Sequence, residues 1–438
     1  MTKLIRFSLL SGAALIGAWA LTSAPVAGQS KPSMGPPLVI TAYGGKTPAT
    51  PYKSPKTPWG EPDLIGVWSS DDTAGIPMSR PQNCGAQTGS DFTAALPNGR
   101  GRGGCYGDRL YLNDEEFAQR QQQITQRAKQ GDENAVGAFR FDYARRAFAQ
   151  TSLIVDPANG QQPAYTPGAF AHAMPRGTYG NGPLDWTTDF STYERCITRG
   201  VLGSTLNVIY GNGQEITQSP GYVTITYEMI HDTRVIPTDG RAHVNPKIHL
   251  LLGNSVGHWE GDELVVETTN FTNQTAIGVN GNGNRHSTQL KFIERFKRVA
   301  KDVVQYQVTI DDPLTYERPW TMSYPLTPLD GGRILPYTCH EGNMALTQSL
   351  GGERAEDRAL AEDLKKGIVR ERRPVQDGLG VGGAPAGPGG GLFGGRGGAP
   401  PTPGADTQER ELPFGVGPAV GGAGPADALF TSALRSPE

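Results

Sequence analysis

Residues 288–311, TQLKFIERFKRVAKDVVQYQVTID, decide the fold that the sequence predicts. From Val304 to Ile310 every second residue is apolar or aromatic, and the residues between them are Gln, Gln and Thr. Successive side chains of a strand point to opposite faces, so this alternation predicts a strand with one dry face and one wetter face. We therefore predict neighbouring antiparallel strands at residues 288–299 and 302–311.

The same alternation occurs on both sides of this stretch. Residues 222–232 place apolar side chains, Tyr227 and finally His231 on one face, and residues 320–324 align Trp320, Met322 and Tyr324. Gly, Asn, Asp or Pro bounds most of these segments. Short antiparallel strands at this spacing predict a mainly β protein, built as a barrel-like meander with an irregular N-terminal region and a few short helices.

Composition excludes several other classes. The 438 residues include 59 Gly and 35 Pro, which favours turns and long loops over a helix bundle or coiled coil. The formal net charge is −3, so bulk electrostatics do not indicate a nucleic-acid partner. No GxSxG or GxGxxG motif is present in a suitable context, which argues against common esterase and dinucleotide-binding sites.

The N-terminus carries a targeting pattern. Lys3 and Arg6 precede an uncharged apolar run at residues 7–21, and small residues follow it. This pattern predicts a cleaved signal peptide, export to the periplasm or medium, and no transmembrane segment after cleavage. The predicted organisation is a signal peptide at 1–28, an extended arm at 29–57, an irregular region with short helices and a hairpin at 58–194, the barrel-like domain at 195–350, a charged helix at 351–373 and a disordered Gly/Pro-rich tail at 374–438.

Two local predictions concern the irregular region. Asn113 and Glu116 have the spacing of a helical capping box, which predicts a surface helix over residues 113–130. A second short helix is predicted at 137–149. Residues 152–156 and 162–165 flank Pro-Ala-Asn-Gly and are predicted to pair as a hairpin.

The chain has four cysteines, which allow three pairings in an exported protein. We favour a Cys84–Cys105 bridge, because these residues flank a Gly-rich loop with little core of its own, and a Cys196–Cys339 bridge. The functional alternative is a reactive thiolate at Cys196 or Cys339, although neither lies in a thiol-protease signature.

Four polar residues at two predicted strand ends are candidates for catalysis: His231, Asp232, His340 and Glu341. If both strand ends lie at one rim of the barrel, these side chains could converge for general acid–base chemistry or hold a divalent metal. The simpler interpretation is a hydrogen-bonded turn at His231 and a disulfide at Cys339. No spacing of ligands supports a metal site, and no cofactor is indicated.

A second group of residues is predicted to contact a ligand. Arg195 could bind a carboxylate or phosphate, or pair with a neighbouring acid instead. Four aromatic residues could line a pocket and orient a partly apolar molecule through their polar atoms: Tyr227, Trp259, Trp320 and Tyr324. Core packing is the simpler interpretation for any one of them.

Six motifs in one order resemble a family of exported bacterial proteins of unassigned function, over roughly residues 57 to 350. They are residues 58–68 (PWGEPDLIGVW), 151–157 (TSLIVDP), 194–197 (ERCI), 227–232 (YEMIHD), 259–271 (WEGDELVVETTNF) and 339–343 (CHEGN). The resemblance implies no activity, cofactor or catalytic residue. At the level of architecture the predicted meander is also similar to lipocalin-like barrels, which supports the fold expectation only.

Three functional hypotheses follow. The preferred one is a protein that binds a small, partly apolar molecule in the barrel. The second is an exported lyase, isomerase or hydrolase that uses His231 or His340 with a carboxylate at the barrel mouth. The third is a structural or interaction protein of the cell envelope. The first requires an apolar cavity, the second a histidine beside a carboxylate in that cavity, and the third a filled core.

Overall fold

The structure is a computed structural model of the chain. Contacts along the chain divide it into two units, Met1–Pro37 and Leu38–Glu438, and the second unit holds the strands and helices. The predicted signal peptide, Cys84, Cys105 and the predicted tail lie outside the described residues. Those residues are 35–46, 48–80, 106–133, 144–169, 184–207, 211–277, 284, 286–329 and 331–371.

Within the described residues, ten strands form one antiparallel sheet. Nine of them lie in the order β5-β4-β3-β1-β10-β9-β8-β7-β6, and β2 pairs with β10. This architecture confirms the predicted fold class. The strands are β1 Gly66–Ser69, β2 Ile154–Asp156, β3 Gly213–Ser219, β4 Tyr222–Tyr227, β5 Thr233–Pro237, β6 Asn254–Glu260, β7 Glu263–Thr269, β8 Lys291–Ala300, β9 Val303–Asp311 and β10 Trp320–Pro328.

The sheet curls into a nearly closed barrel, because its two end strands, β5 and β6, lie side by side. Side chains bridge the gap: Arg234 Nη2 donates to Ser255 Oγ at 3.0 Å. Gly257 of β6 lets the two strands approach closely, because a Cβ at this position would lie only 3.0 Å from Ile236 Cγ2 of β5 and would crowd it. The barrel is therefore closed on this side by side-chain contacts instead of a hydrogen-bonded strand pair.

Both faces of β9 are buried, which differs from the predicted wetter face. The apolar residues between Val304 and Ile310 point into the barrel and belong to its core. On the outer face, Gln307 Oε1 accepts a hydrogen bond from Val39 N at 2.8 Å, and Gln305 Oε1 accepts one from Thr41 N at 3.0 Å. The glutamines therefore bind the backbone of the N-terminal arm, a partner that strand alternation does not reveal.

The predicted irregular region contributes to the sheet. β1 lies between β3 and β10, and β2 pairs with the first half of β10. The predicted hairpin does not form, since β2 pairs with Thr321 and Met322 while Tyr165 bridges to Tyr316. Together β1 and β2 cover the edge of β10 that β9 leaves open, so its backbone groups are paired.

Three α-helices lie in the described residues: α1 Asp114–Glu133, α2 Val201–Thr205 and α3 Ala345–Lys365. α1 confirms the first predicted helix. Its capping box is present, because Asn113 Oδ1 accepts from Glu116 N and Glu116 Oε2 accepts from Asn113 N, both at 2.8 Å. Residues 144–149, the described part of the second predicted helix, are not helical.

α3 begins before the predicted start at residue 351 and ends before residue 373. Its first turns pack through Leu346 and Leu350 against Leu184 and Phe190. Leu364 is 66% exposed, so the C-terminal part of the helix is not packed as a core helix would be. α2 is different, because all five of its residues are buried.

Candidate functional site

Three of the sequence motifs meet at one end of the barrel. The turn after β4 is joined to the loop before α2 by a hydrogen bond from Thr198 Oγ1 to Asp232. The segment after β10 joins the same turn, because Leu335 N donates to Glu228 Oε1 at 3.1 Å. A disulfide between Cys196 and Cys339, with Cα atoms 5.7 Å apart, links the loop before α2 to the segment after β10. The predicted Cys196–Cys339 pairing is thereby confirmed.

The turn between β4 and β5 has an unusual backbone. Ile230 and His231 both have positive φ, 64° and 58°, and Tyr227 N closes the loop by donating to Asp232 O at 2.9 Å. Left-handed φ is uncommon outside glycine and is a genuine outlier for a β-branched residue. It turns His231 outward, where its Nε2 lies 3.3 Å from Leu335 O.

The four predicted catalytic side chains share this end of the barrel without forming one constellation. His231 is exposed, and Asp232 is half-buried against Thr198. Burial raises the pKa of Asp232, and the hydrogen bond from Thr198 opposes that rise. His340 and Glu341 are exposed. The structure gives no hydrogen bond or ion pair between any two of these four described side chains.

A surface hollow of about 290 Å³ opens beside the disulfide. We call it the disulfide hollow. It brings together two residues that were predicted for different roles, Arg195 and His340. Its lining is Thr187, Glu194, Arg195, Cys196, His340, Asn343 and Leu346.

The barrel interior contains a layer of buried polar side chains, and each strand from β3 to β10 contributes one of them. We call it the polar layer. Its members are Gln214, Tyr227, Arg234, Ser255, Thr268, Glu294, Tyr306 and Tyr324, all of them buried.

An ion pair lies at the centre of the polar layer. Arg234 Nη2 lies 2.6 Å from Glu294 Oε2, and the two side chains are 3% and 1% exposed. The guanidinium also donates to Tyr227 Oη at 3.0 Å and to Thr268 Oγ1 at 3.1 Å. Burial lowers the pKa of Arg234, but Glu294 and Tyr227 outweigh it and raise that pKa above its ordinary value. Arg234 therefore remains charged inside the barrel.

Three phenols surround this pair and stay neutral. Tyr306 Oη donates to Glu294 Oε1 at 3.1 Å, and its ring centroid lies 5.1 Å from that of Tyr324. Burial, reinforced by the charge of Glu294, holds the pKa of Tyr306 and Tyr324 well above the ordinary value. Burial also raises the pKa of Tyr227, although Arg234 opposes the shift. All three phenols therefore stay protonated and are not bases; Tyr306 donates to Glu294, Tyr227 accepts from Arg234, and Tyr324 has no described partner.

Three polar atoms of the polar layer that can donate a hydrogen bond have no partner in the part of the chain that the structure describes. Among the described residues, Gln214 Nε2, Arg234 Nε and Tyr324 Oη are buried without a hydrogen-bond partner. A buried polar group without a partner costs about 1–3 kcal/mol. Gln214 lies directly across from Tyr227 in the β3–β4 ladder, and the ring of Tyr324 packs against Tyr306, whose hydroxyl binds Glu294.

The predicted ligand residues separate into these two places. Tyr227 and Tyr324 belong to the polar layer, and Trp320 lies in the same barrel core with its ring 5.6 Å from that of Tyr316. Trp259 is partly buried and packs against this core. Arg195 lies in the disulfide hollow instead.

Sequence reasoning missed Arg234, Glu294 and Tyr306 as site residues. A signal for Glu294 was present, because it lies two residues from both Phe292 and Phe296 and therefore shares their inward face. A charged residue on an inward face indicates a buried partner.

No known family model, curated protein or solved structure matches this chain. Within the described part of the chain, no group of His, Cys, Asp and Glu side chains is arranged to hold a metal ion. None of the described helices is long and apolar enough to cross a bilayer.

Proposed function

We propose that this is an exported protein that binds one small, neutral, partly apolar molecule inside the barrel. The observation that carries the proposal is the set of three unpaired donors in the polar layer, Gln214 Nε2, Arg234 Nε and Tyr324 Oη. A carbonyl oxygen on a ligand has two lone pairs and would satisfy up to two of them. The targeting pattern at residues 1–28 and the Cys196–Cys339 disulfide support export, since disulfides persist in oxidising compartments.

The charges of the polar layer favour a neutral ligand. Arg234 and Glu294 balance each other, so a further charge would be buried without a partner, at a cost of several kcal/mol. A ketone, ester or ether oxygen accepts hydrogen bonds without adding charge. The ligand class is therefore a molecule with a carbonyl or ether oxygen and an apolar body.

Aromatic rings supply the apolar surroundings. Phe296 and Tyr306 are 4.9 Å apart between ring centroids, and Tyr324 continues the same contact at 5.1 Å from Tyr306. Rings in such arrangements favour planar or aromatic ligands. An aromatic ketone combines this body with the required acceptor.

Helix α2 is the element whose movement would admit a ligand. Side chains fill the barrel around the polar layer, which is the condition required by the structural hypothesis, so binding requires a ligand to displace part of the interior. α2 contributes Val201 and Leu202 to that interior and belongs to no strand ladder, and its Thr205 lies close enough to Tyr227 to affect the pKa of that phenol. Moving α2 would expose the polar layer and leave the sheet intact.

The test uses the full chain purified after export and titrated with acetophenone, followed by ligand-observed NMR. Ethylbenzene is the matched probe, because it has the same body without the carbonyl oxygen. We expect saturable binding of acetophenone and weaker binding of ethylbenzene. Tyr324→Phe deletes one unpaired donor and should weaken acetophenone binding about 2- to 13-fold, which corresponds to one neutral hydrogen bond.

Tyr316→Phe is the matched control. Tyr316 is also a buried tyrosine whose hydroxyl has no described partner, but it lies outside the polar layer, against Tyr165 and Trp320. This variant should leave binding unchanged. The proposal fails if neither probe saturates, if both bind equally, or if the two variants change acetophenone binding to the same extent. Failure of both probes together with a more stable Tyr324→Phe variant would favour the structural or interaction hypothesis.

A further inference from the structure

We propose that the disulfide hollow is a second binding site, for a small monocarboxylate with an apolar body. At about 290 Å³ it approaches the lower end of the ~300–1,000 Å³ range of small-molecule pockets. Its walls come from two chain segments far apart in sequence, and the Cys196–Cys339 disulfide joins them across 143 residues. The hollow is thus covalently held together.

Arg195 supplies the group that recognises a carboxylate. The structure gives its side chain one hydrogen bond, from Nε to Ser191 O at 3.4 Å. Among the described residues, nothing binds its two terminal nitrogens, and the side chain is only half-buried in the wall of the hollow. A guanidinium with two free terminal nitrogens matches the two oxygens of a carboxylate.

Three other polar groups belong to the same hollow. His340 and Thr187 each add a possible donor to the wall. The N-terminus of α3 adds the positive end of a 21-residue helix, since Asn343 and Leu346 of the lining lie at its start. These features favour an anion over a neutral ligand.

Glu194 limits the charge of that anion. Its carboxylate also lines the hollow, where Oε2 accepts a hydrogen bond from Ser191 N at 2.7 Å. A second negative charge on the ligand would be repelled by it. One carboxylate therefore fits better than a phosphate dianion, and Leu346 with the disulfide provides an apolar wall for the rest of the molecule.

The test titrates the full chain with benzoate and, as the uncharged isostere, benzamide, by isothermal titration calorimetry. We expect benzoate to bind and benzamide to bind much more weakly. Arg195→Gln should weaken benzoate binding about 10- to 150-fold, the range for a lost charge-assisted hydrogen bond. His340→Ala should weaken it less, because it removes one ring donor and leaves the guanidinium in place.

Arg318→Gln is the matched control, because Arg318 is an exposed arginine that pairs with Asp156 away from the hollow lining. It should leave benzoate binding unchanged. The proposal is overturned if benzoate does not saturate, if benzamide binds equally well, or if Arg195→Gln behaves like Arg318→Gln.

A competition experiment separates this site from the barrel site. Benzoate and acetophenone should bind at the same time, and Arg195→Gln should leave acetophenone binding unchanged. Displacement of one probe by the other would mean a single shared site and would overturn the proposal of a second one. Loss of acetophenone binding alone would affect only the barrel proposal.

Discussion

Replacing Glu294 by Gln should destabilise the protein strongly. The carboxylate is 1% exposed and balances Arg234, which is 3% exposed. Glutamine keeps the shape of the side chain but removes its charge, so the guanidinium would remain buried without a counter-charge. Breaking a buried ion pair in this way costs about 3–5 kcal/mol. Tyr306 would also lose its charged acceptor.

Equilibrium unfolding in urea, followed by tryptophan fluorescence, measures this loss. The matched control is Asp156→Asn, which breaks the ion pair between Arg318 and Asp156, where the side chains are 51% and 50% exposed. An exposed pair contributes about 0–1 kcal/mol, so this variant should remain close to the unmodified chain. Changing Arg234 and Glu294 together to Met should cost less than Glu294→Gln, because no buried charge is left unpaired.

The reasoning is refuted if Glu294→Gln lowers the free energy of unfolding by no more than Asp156→Asn does. A double variant as unstable as the single one would also contradict it, because the loss would then come from altered packing and not from the unpaired charge.

Three further predictions concern the rest of the molecule. Replacing Cys196 and Cys339 by Ala should lower the free energy of unfolding, measured in urea, by up to about 5 kcal/mol, because the disulfide closes a long loop and restricts the unfolded chain. No change in this free energy would mean that the disulfide does not constrain the unfolded chain. The raised pKa of Tyr306 and Tyr324 stabilises the fold below pH about 10, and this stabilisation is lost as the pH rises further. Tyrosinate absorbance at alkaline pH should therefore show fewer ionised tyrosines in the folded chain than in urea, and equal numbers would contradict the burial argument. The raised pKa of Asp232 stabilises the fold fully only below pH about 4, so the unmodified chain should lose stability relative to Asp232→Asn as the pH rises from about 4 to 7. A difference in unfolding free energy between the two chains that stays constant over this range would show that burial does not shift the pKa of this carboxyl group.

Local sequence patterns were sufficient where the structure depends on neighbouring residues. The alternation at Val304–Ile310 predicted β9 and its inward face, and the spacing of Asn113 and Glu116 predicted the start of α1. Both patterns work because strand geometry and helix capping involve residues only two or three positions apart.

The tertiary structure decided everything that depends on which segments meet. β2 pairs with β10 and not with residues 162–165. Backbone hydrogen-bonding groups are the same in every strand, so the alternation of side chains does not indicate which strand will pair with which.

The candidate site shows the same division. The sequence by itself determined that Tyr227 and Tyr324 face inward from their strands, and that Glu294 shares a face with two phenylalanines. Only the closed barrel brings Arg234 within 2.6 Å of Glu294 from a strand 60 residues earlier. Which side chains of a strand share a face follows from local alternation. The distance between two side chains across a barrel depends on strand order, register and closure, which arise from contacts between residues far apart in the chain.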